Sequence, residues 1–298
     1  MPYYGLSAYL REKYGRRMKK ICIDGGFSCP NRDGKCGTGG CIYCGERGAG
    51  EHINPKFNIN EQVLSALEGS DEDELFIAYF QNFTNTYAPV GTLRERYDAA
   101  LIDDRIKILA VGTRPDCIDR EIAELLRSYR DRVDVWVELG LQTASDKTAE
   151  LINRGYKTEV FPEAARLLQE YEIPFVVHVM IGLPEEGERE ALETVELVNS
   201  VKPFGVKLHS TYVMKDTALA TLLLGGKYKP LCREDYVRTA ALAIASLSPE
   251  IVVHRITGDC PRDLLVAPEW NTDKNGVIRD IREYLREHGL KQGSLYKR

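Results

Sequence analysis

The chain alternates short β-branched or aromatic runs with helical segments, and this alternation limits its possible folds more than any other feature. The pattern is typical of repeated βα units, because parallel strands need a long crossover connection that a helix usually supplies. In one helical segment Ile118, Ile122, Leu125 and Leu126 recur at the helical period, and Asp119 is placed to cap the helix. Strands are predicted over residues 19–24, 74–80, 106–112, 133–142, 174–183 and 205–213, with a seventh candidate over 250–256.

A chain of 298 residues with this pattern fits one α/β barrel with appendages. No fixed-period repeat or low-complexity linker divides it, so we interpret the residues beyond about 225 as a C-terminal extension. No run reaches the roughly 18 consecutive apolar residues of a membrane span. The N-terminus also lacks the features of a secretory signal, so we expect a cytoplasmic protein.

The charge distribution is uneven. The whole chain carries a net charge of −5, which argues against a generic binder of polyanions. Residues 11–20 nevertheless hold six basic side chains against one acidic, and residues 279–298 hold six against three. These basic ends are compatible with a phosphate-bearing partner, although two solvated helix faces would give the same pattern.

Eight cysteines in a chain of this kind favour metal ligation or catalysis over a disulfide framework. Cys29, Cys36, Cys41 and Cys44 follow the spacing C-x6-C-x4-C-x2-C in a glycine-rich loop. A structural zinc site with four thiolates, an iron-sulfur cluster with three thiolates, and a redox pair at the CxxC are all compatible with this spacing. The position of the loop directly after the first strand favours a cofactor over a zinc brace.

Two quoted runs, DGGFSCPNRDG (24–34) and GTGGCIYC (37–44), resemble the radical S-adenosylmethionine (SAM) enzymes, in particular the bacterial subfamily related to the radical SAM subunit of Elongator. That subfamily spaces its cluster cysteines C-x11-C-x2-C, which here selects Cys29, Cys41 and Cys44, with the aromatic Tyr43 before the last of them. Cys36 is then an extra thiol, and it keeps the four-cysteine zinc site open as an alternative. Further blocks in the family order are GTRPDC (112–117), VELGLQT (137–143), HVMIGLP (178–184), KLH (207–209) and HRITGDCPRDLLVAPEW (254–270).

The resemblance implies an α/β fold, a partial (β/α)6 radical SAM barrel. Residues 1–225 would form the barrel, including the basic N-terminal segment and the cysteine loop, and residues 226–298 an α/β extension packed on it. It also implies two cofactors, a 4Fe-4S cluster held by three thiolates and SAM bound to the fourth iron. In such enzymes an electron from the cluster cleaves SAM to a 5′-deoxyadenosyl radical. The protein must therefore mainly bind and orient the cofactors and the substrate and exclude competing reactions.

Residues at the strand ends are the expected cofactor-binding residues. Gln81 and Asn82 are placed to contact the methionyl amine of SAM, and Arg114 can form a bidentate pair with a carboxylate. Glu138 and Gln142, an even number of residues apart, point to one face of their strand. The complete expected set is Tyr43, Gln81, Asn82, Thr113, Arg114, Glu138, Gln142, His178, Met180, Ile181 and Gly182.

Each of these residues also has a purely structural interpretation. The amides of Gln81 and Asn82 would pair loop backbone, Arg114 would pair with Asp116, Glu138 would belong to a buried ion pair, and His178 would be a core histidine. Ile181 offers an apolar contact and Gly182 a small residue, and the two are expected to receive the adenine of SAM.

Lys207 and His209 share one face of the sixth strand and are the candidate substrate contacts. His254 and Arg255 of the extension either complete the pocket or buttress it. The Elongator relationship implies a tRNA wobble uridine as substrate, with conversion of carboxymethylaminomethyl-uridine to aminomethyl-uridine as the expected reaction. Under that hypothesis an external electron donor of the flavodoxin or ferredoxin type is needed. The expected RNA contacts are Arg16, Arg17, Lys19 and Lys20.

Two alternatives stay open from the sequence. One is a radical SAM enzyme acting on a small metabolite, in the manner of the oxygen-independent coproporphyrinogen oxidases. The other is a zinc-stabilised RNA-binding protein without turnover.

Overall fold

A computed structural model describes residues 2–48, 50–51, 53–54 and 56–297. Seven parallel strands form one sheet whose spatial order follows the chain, so each strand pairs with the one before it. The strands are β1 (Met18–Ile23), β2 (Leu75–Phe80), β3 (Ile106–Thr113), β4 (Asp134–Gln142), β5 (Phe175–Ile181), β6 (Gly205–Ser210) and β8 (Val252–Arg255). Two short segments, β7 (Val213–Met214) and β9 (Leu265–Ala267), pair antiparallel as a separate ribbon.

Helices follow the strands, as the alternating sequence pattern predicts. The helices are α1 (Leu6–Tyr14), α2 (Ile59–Leu67), α3 (Val90–Ala100), α4 (Arg120–Ser128), α5 (Asp146–Leu151), α6 (Val160–Glu170), α7 (Glu188–Ser200), α8 (Ala218–Leu224), α9 (Arg233–Ser246) and α10 (Lys274–Glu287). The predicted cap of α4 is confirmed, because Asp119 Oδ1 accepts a hydrogen bond from the Ile122 backbone N–H at 2.9 Å. None of the helices in the described residues is long and apolar enough to cross a membrane.

The sheet is buried on both faces. Its outer face packs on the helices in one large apolar core, to which β4 contributes Val135, Val137 and Leu139. Its inner face forms a smaller core at the amino ends of the strands, where Leu10 of α1 packs with Trp136. Helix α1 therefore closes this end of the barrel, and the opposite end is left for a site.

The predicted fold class is confirmed, and the strand boundaries agree to within a few residues. The edge strands β1 and β8 do not pair with each other within the described part of the chain, so the barrel is partial. The seventh candidate strand is confirmed as β8, and it continues the main sheet through parallel pairing with β6. The sixth strand ends at Ser210, earlier than predicted, because Val213 belongs to the antiparallel ribbon.

Candidate active site

The cysteine loop, defined here as residues 25–48, leaves the carboxyl end of β1. Two consecutive glycines turn it immediately before Cys41, with φ of 78° at Gly39 and 79° at Gly40. Residues with a side chain rarely adopt this left-handed conformation, and a Cβ on Gly40 would lie 2.8 Å from Arg32 Nε. The glycines therefore fix where the CxxC begins.

Cys41 and Cys44 are neighbours in a tight turn, closed by a hydrogen bond from the Cys44 backbone N–H to the Cys41 carbonyl at 3.0 Å. The Cys44 thiol lowers the pKa of Cys41; burial opposes this, and the Tyr43 hydroxyl adds to it. An adjacent pair of half-buried thiols, one with a lowered pKa, suits ligation by thiolates. Tyr43 thus lies beside the cysteines, as the sequence led us to expect.

Cys29 lies in the same loop, and its carbonyl accepts the Arg32 backbone N–H at 2.8 Å. Cys36 has a different environment, since it is exposed and its sulfur lies 3.5 Å from Arg114 Nη2. No group of three or more His, Cys, Asp or Glu side chains within the described ranges is arranged to hold a single metal ion. Three cysteines of one loop, two of them adjacent, supply thiolates, and thiolates are the ligands by which proteins hold iron-sulfur clusters.

The loop is anchored by residues after α5 that the sequence analysis missed. Asn153 donates its amide to the Gly40 carbonyl at 2.8 Å, and its own carbonyl accepts the Asn31 amide at 2.5 Å. On the other side the backbone N–H of Leu219 in α8 donates to the Ile42 carbonyl at 2.8 Å. The loop is therefore held between two elements that the sequence pattern did not connect with it.

Arg154 was also missed, although it is the largest fully buried side chain of the described chain. Its Nη1 donates to the carbonyls of Leu141 at 2.8 Å and Thr143 at 2.7 Å, which fixes the end of β4. A single arginine after a short helix is part of no periodic pattern, so the buried position of Arg154 could not be predicted from the sequence.

Arg114 is engaged mainly by other groups of the protein. Its guanidinium makes a bidentate pair with Asp116 at 2.7 and 2.8 Å and donates to the Arg154 carbonyl at 2.8 Å. With the contact to Cys36, most of its donors are used within the protein. The structure therefore contains the alternative ion pair with Asp116, and a contact of Arg114 with a cofactor stays a prediction.

Thr113 is likewise engaged by the protein, with its hydroxyl 2.6 Å from that of Thr86. Asn82 donates to Asp24 Oδ2 at 2.8 Å, while its buried Oδ1 has no partner in the described structure. Gln81 follows β2 at the same edge, and its backbone N–H donates to the Ile23 carbonyl at 3.2 Å. At this edge the described residues thus include buried side-chain oxygens without a partner on Asn82, Thr84 and Asn85.

On β5 the alternation of side chains separates the expected cofactor residues. His178 and Met180 are half-buried and face the barrel interior. The Ile181 side chain belongs to the outer core and packs toward the helices, and the contact of residues 181–182 with adenine stays a prediction. Gly182 adopts φ of 88°, and its carbonyl accepts the Tyr228 hydroxyl at 2.7 Å.

The barrel interior contains a buried polar cluster. Glu138 is 1% exposed; its Oε2 lies 2.8 Å from His178 Nε2 and forms an ion pair with Lys207. The Lys207 ammonium group also donates to the Tyr79 hydroxyl at 3.2 Å, and the rings of His178 and His209 are 5.0 Å apart. The sequence-predicted residues Glu138, His178, Lys207 and His209 are thus brought together.

The charges of this cluster shift the pKa of each member. Burial alone would raise the pKa of Glu138, but Lys207 and His178 outweigh it and hold that pKa well below its usual value. Burial lowers the pKa of Lys207 to about 7, although Glu138 opposes this. Burial also lowers the pKa of His178 and His209, so both imidazoles are neutral near pH 7.

Gln142, at the carboxyl end of β4 with φ of 63°, lies on the interior face with Glu138.

The basic N-terminal residues are not at this site. Arg16 and Lys19 lie at the amino end of β1, where they pair with Asp73 at 2.8 Å and Glu74 at 2.5 Å. Arg17 is exposed at the same end. Lys20 was expected on the RNA-binding surface, and this was wrong, because alternation along β1 turns it into the barrel, 5.6 Å from the centre of the Tyr79 ring.

Comparison with known proteins agrees with this architecture. The model of the radical SAM superfamily matches residues 34–198, and that of the Radical_SAM C-terminal domain matches residues 203–287. Bacillus subtilis YtqA is 35% identical over 300 residues, covering 99% of this chain and 93% of its own. The tRNA uridine(34) acetyltransferase of Methanocaldococcus jannaschii is 27% identical over 193 residues, covering 63% of this chain and 34% of its own.

Among solved structures, the archaeal Elp3 of Methanocaldococcus infernus superposes with a TM-score of 0.67 at 19% identity, covering 79% of this chain and 60% of that one. At this identity the likeness concerns the fold. Superfamily membership implies an enzyme that uses a 4Fe-4S cluster and SAM and needs an electron donor, and the cysteine loop fits that requirement. The chain belongs to the radical SAM superfamily.

Proposed function

We propose that this radical SAM enzyme modifies the side chain of a tRNA wobble uridine and converts carboxymethylaminomethyl-uridine to aminomethyl-uridine. The observation that carries the proposal is the similarity to the archaeal tRNA uridine(34) acetyltransferase, which extends over 63% of this chain. In this reaction the methylene carbon between the amine and the carboxylate of the arm would lose a hydrogen atom to the radical that the cofactors supply and a second electron to the oxidised cluster. Water would then hydrolyse the resulting imine, so that the carbon–nitrogen bond breaks, the two carbons leave as glyoxylate and the arm keeps its amine.

The geometry supports this reaction by placing a polar interior next to the cysteine loop. In our proposal Cys29, Cys41 and Cys44 would hold the cluster, and residues at the carboxyl ends of the strands would bind SAM. Together these cofactors supply a carbon-centred radical that abstracts hydrogen. Asn82 offers its unpaired Oδ1 to SAM, and Lys207 and His209 face the substrate from β6.

The tRNA must approach the carboxyl ends of the strands, because α1 closes the other end. We therefore place the RNA contacts nearest the reaction beside α8. A backbone hydrogen bond joins α8 to the cysteine loop, and the exposed Lys227 and Lys229 follow α8 in the chain. Exposed lysines next to an opening suit phosphate contacts. Arg16, Arg17 and Lys19 are too far along the barrel to position the base, so any contact they make is with a more distant part of the tRNA.

The test is an anaerobic assay with reconstituted protein, SAM, a reductant of the flavodoxin type and tRNA that carries carboxymethylaminomethyl-uridine. We expect the nucleoside digest to show loss of this uridine and an equal gain of aminomethyl-uridine. Cys41→Ala should abolish the change, whereas Cys36→Ala should retain it. Cleavage of SAM with no change in the tRNA nucleosides would contradict the proposal and favour a small metabolite as substrate.

A further inference from the structure

Lys20 and Lys19 are consecutive in β1 but have different surroundings. Lys19 is exposed and pairs with Glu74, whereas Lys20 is half-buried and points into the barrel. Its ammonium group lies 5.6 Å from the centre of the Tyr79 ring, and that of Lys207 lies 4.3 Å from the same ring. Two lysines from opposite parts of the sheet therefore converge on one tyrosine.

Arg255 adds a third cation. It lies opposite Lys207 in the pairing of β6 with β8, and its side chain is 30% exposed. Its nearest carboxylate, that of Asp259, is 3.9 Å away and also accepts Lys274 at 2.7 Å. Arg255 also lies close enough to the barrel interior for its positive charge to lower the pKa of Lys20 and of Lys207.

The anionic side of this interior is smaller. Glu138 pairs with Lys207, and no ion pair joins Lys20 to a carboxylate among the residues that the structure describes. Burial lowers the pKa of Lys20, and the positive charges of Arg255 and Lys274 lower it further against the effect of Glu138. Among the described residues this interior therefore offers the basic groups of Lys20, Lys207 and Arg255 to the single carboxylate of Glu138, and an anion that binds there would favour their charged forms.

We propose that Lys20 and Arg255, with Lys207 beside them, bind the carboxylate of the substrate. This inference rests on the proposed function and identifies the feature of the substrate that the barrel recognises. The arm of carboxymethylaminomethyl-uridine ends in a carboxylate and carries an amine, and the unpaired Oε1 of Glu138 is the matching acceptor for that amine. The product lacks the carboxylate, so the same pocket would favour substrate over product.

The experiment measures binding with reconstituted protein and SAM in the absence of reductant, so that no turnover occurs. The probes are two labelled anticodon stem-loops, one with the carboxymethylaminomethyl arm and one with the methyl ester of that arm, which removes the negative charge. We expect the wild type to bind the acid form at least about tenfold more tightly than the ester, the size of one charge-assisted contact. Lys20→Gln should bring the two affinities together, and Lys20→Arg should keep them apart.

Lys19→Gln is the matched control, since it removes a charge one position away on the other face of the same strand. It should leave the ratio of the two affinities unchanged. Near-ultraviolet circular dichroism of each variant establishes that the barrel is folded. Where Lys20→Gln does not fold, Arg255→Gln takes its place and should likewise bring the two affinities together. The affinity for SAM alone is measured for each variant and should not change.

Three outcomes would overturn the inference. An acid-to-ester ratio that is unaffected by Lys20→Gln would place the carboxylate elsewhere, with tRNA still the substrate. Weaker binding of SAM by Lys20→Gln, with the ratio intact, would assign the lysine to the cofactor. Failure of the wild type to bind either stem-loop would overturn the proposed function itself, and the inference with it.

Discussion

The carboxylate of Glu138 and the ammonium group of Lys207 form an ion pair in the barrel interior, where their side chains are 1% and 2% exposed. A buried pair of this kind contributes little net stability by itself, because both ions lose their hydration. Removal of one partner is costly, since it leaves the other ion buried and unpaired. The pair therefore ties the polar interior of the site to the stability of the fold.

Glu138→Gln should destabilise the protein by about 3–5 kcal/mol, because Lys207 loses its counterion in a buried position. The free energy of unfolding in urea measures this effect. Asp73→Asn, which removes a surface pair with Arg16, is the control and should cost at most about 1 kcal/mol. Similar losses in the two variants would show that the interior pair is not desolvated as the structure indicates.

The contribution of Glu138 should depend on pH with a definite sign. Its pKa in the folded state lies well below the value of 4.5 that it takes when unfolded. The stabilisation is therefore fully present above pH 4.5 and is lost as the pH falls through the folded pKa. The difference in unfolding free energy between wild type and Glu138→Gln should shrink on acidification, and a difference that is constant with pH would contradict this assignment.

Cys36→Ala should retain iron and sulfide after anaerobic reconstitution, because Cys36 contacts Arg114 and is separate from the CxxC turn. Alanine at Cys29, Cys41 or Cys44 should each lose most of the cluster absorbance near 400 nm. Iron, sulfide and zinc are assayed together for all four variants. Stoichiometric zinc that is lost equally in all four would support the four-cysteine alternative.

Arg154→Met should destabilise the protein by at least about 2 kcal/mol, because the buried carbonyls of Leu141 and Thr143 lose their donor. Arg120→Met is the control, since Arg120 is 76% exposed and should change stability by less than about 1 kcal/mol. Unfolding in urea measures both variants. If Arg154→Met is as stable as wild type, the end of β4 does not depend on this arginine.

Much of the fold could be predicted from the sequence, because hydrophobic runs and helical periodicity are local signals. The strand that contains Glu138 was predicted in this way, and the cysteine loop was predicted from the spacing of its cysteines. Sheets of this kind are buried on both faces, so hydrophobicity alone does not tell which side chains face the interior. The sequence alone therefore does not show that the Ile181 side chain packs toward the helices.

Lys20 could have been placed correctly from the sequence. In β1 it alternates with Ile21 and Ile23, which belong to the outer core, so period two directs Lys20 into the barrel. Arg154 and Asn153 could not be found in the same way. Their importance comes from hydrogen bonds to distant backbone, which leave no pattern in the surrounding residues.

The central claim is that the radical formed at this site reacts with the arm of a tRNA uridine. The most direct measurement uses tRNA with deuterium in the carboxymethylaminomethyl arm and follows the label into 5′-deoxyadenosine by mass spectrometry. Our account predicts deuterated 5′-deoxyadenosine that forms only with this tRNA and the wild-type cysteine loop. Unlabelled 5′-deoxyadenosine, formed at the same rate with and without the tRNA, would contradict it.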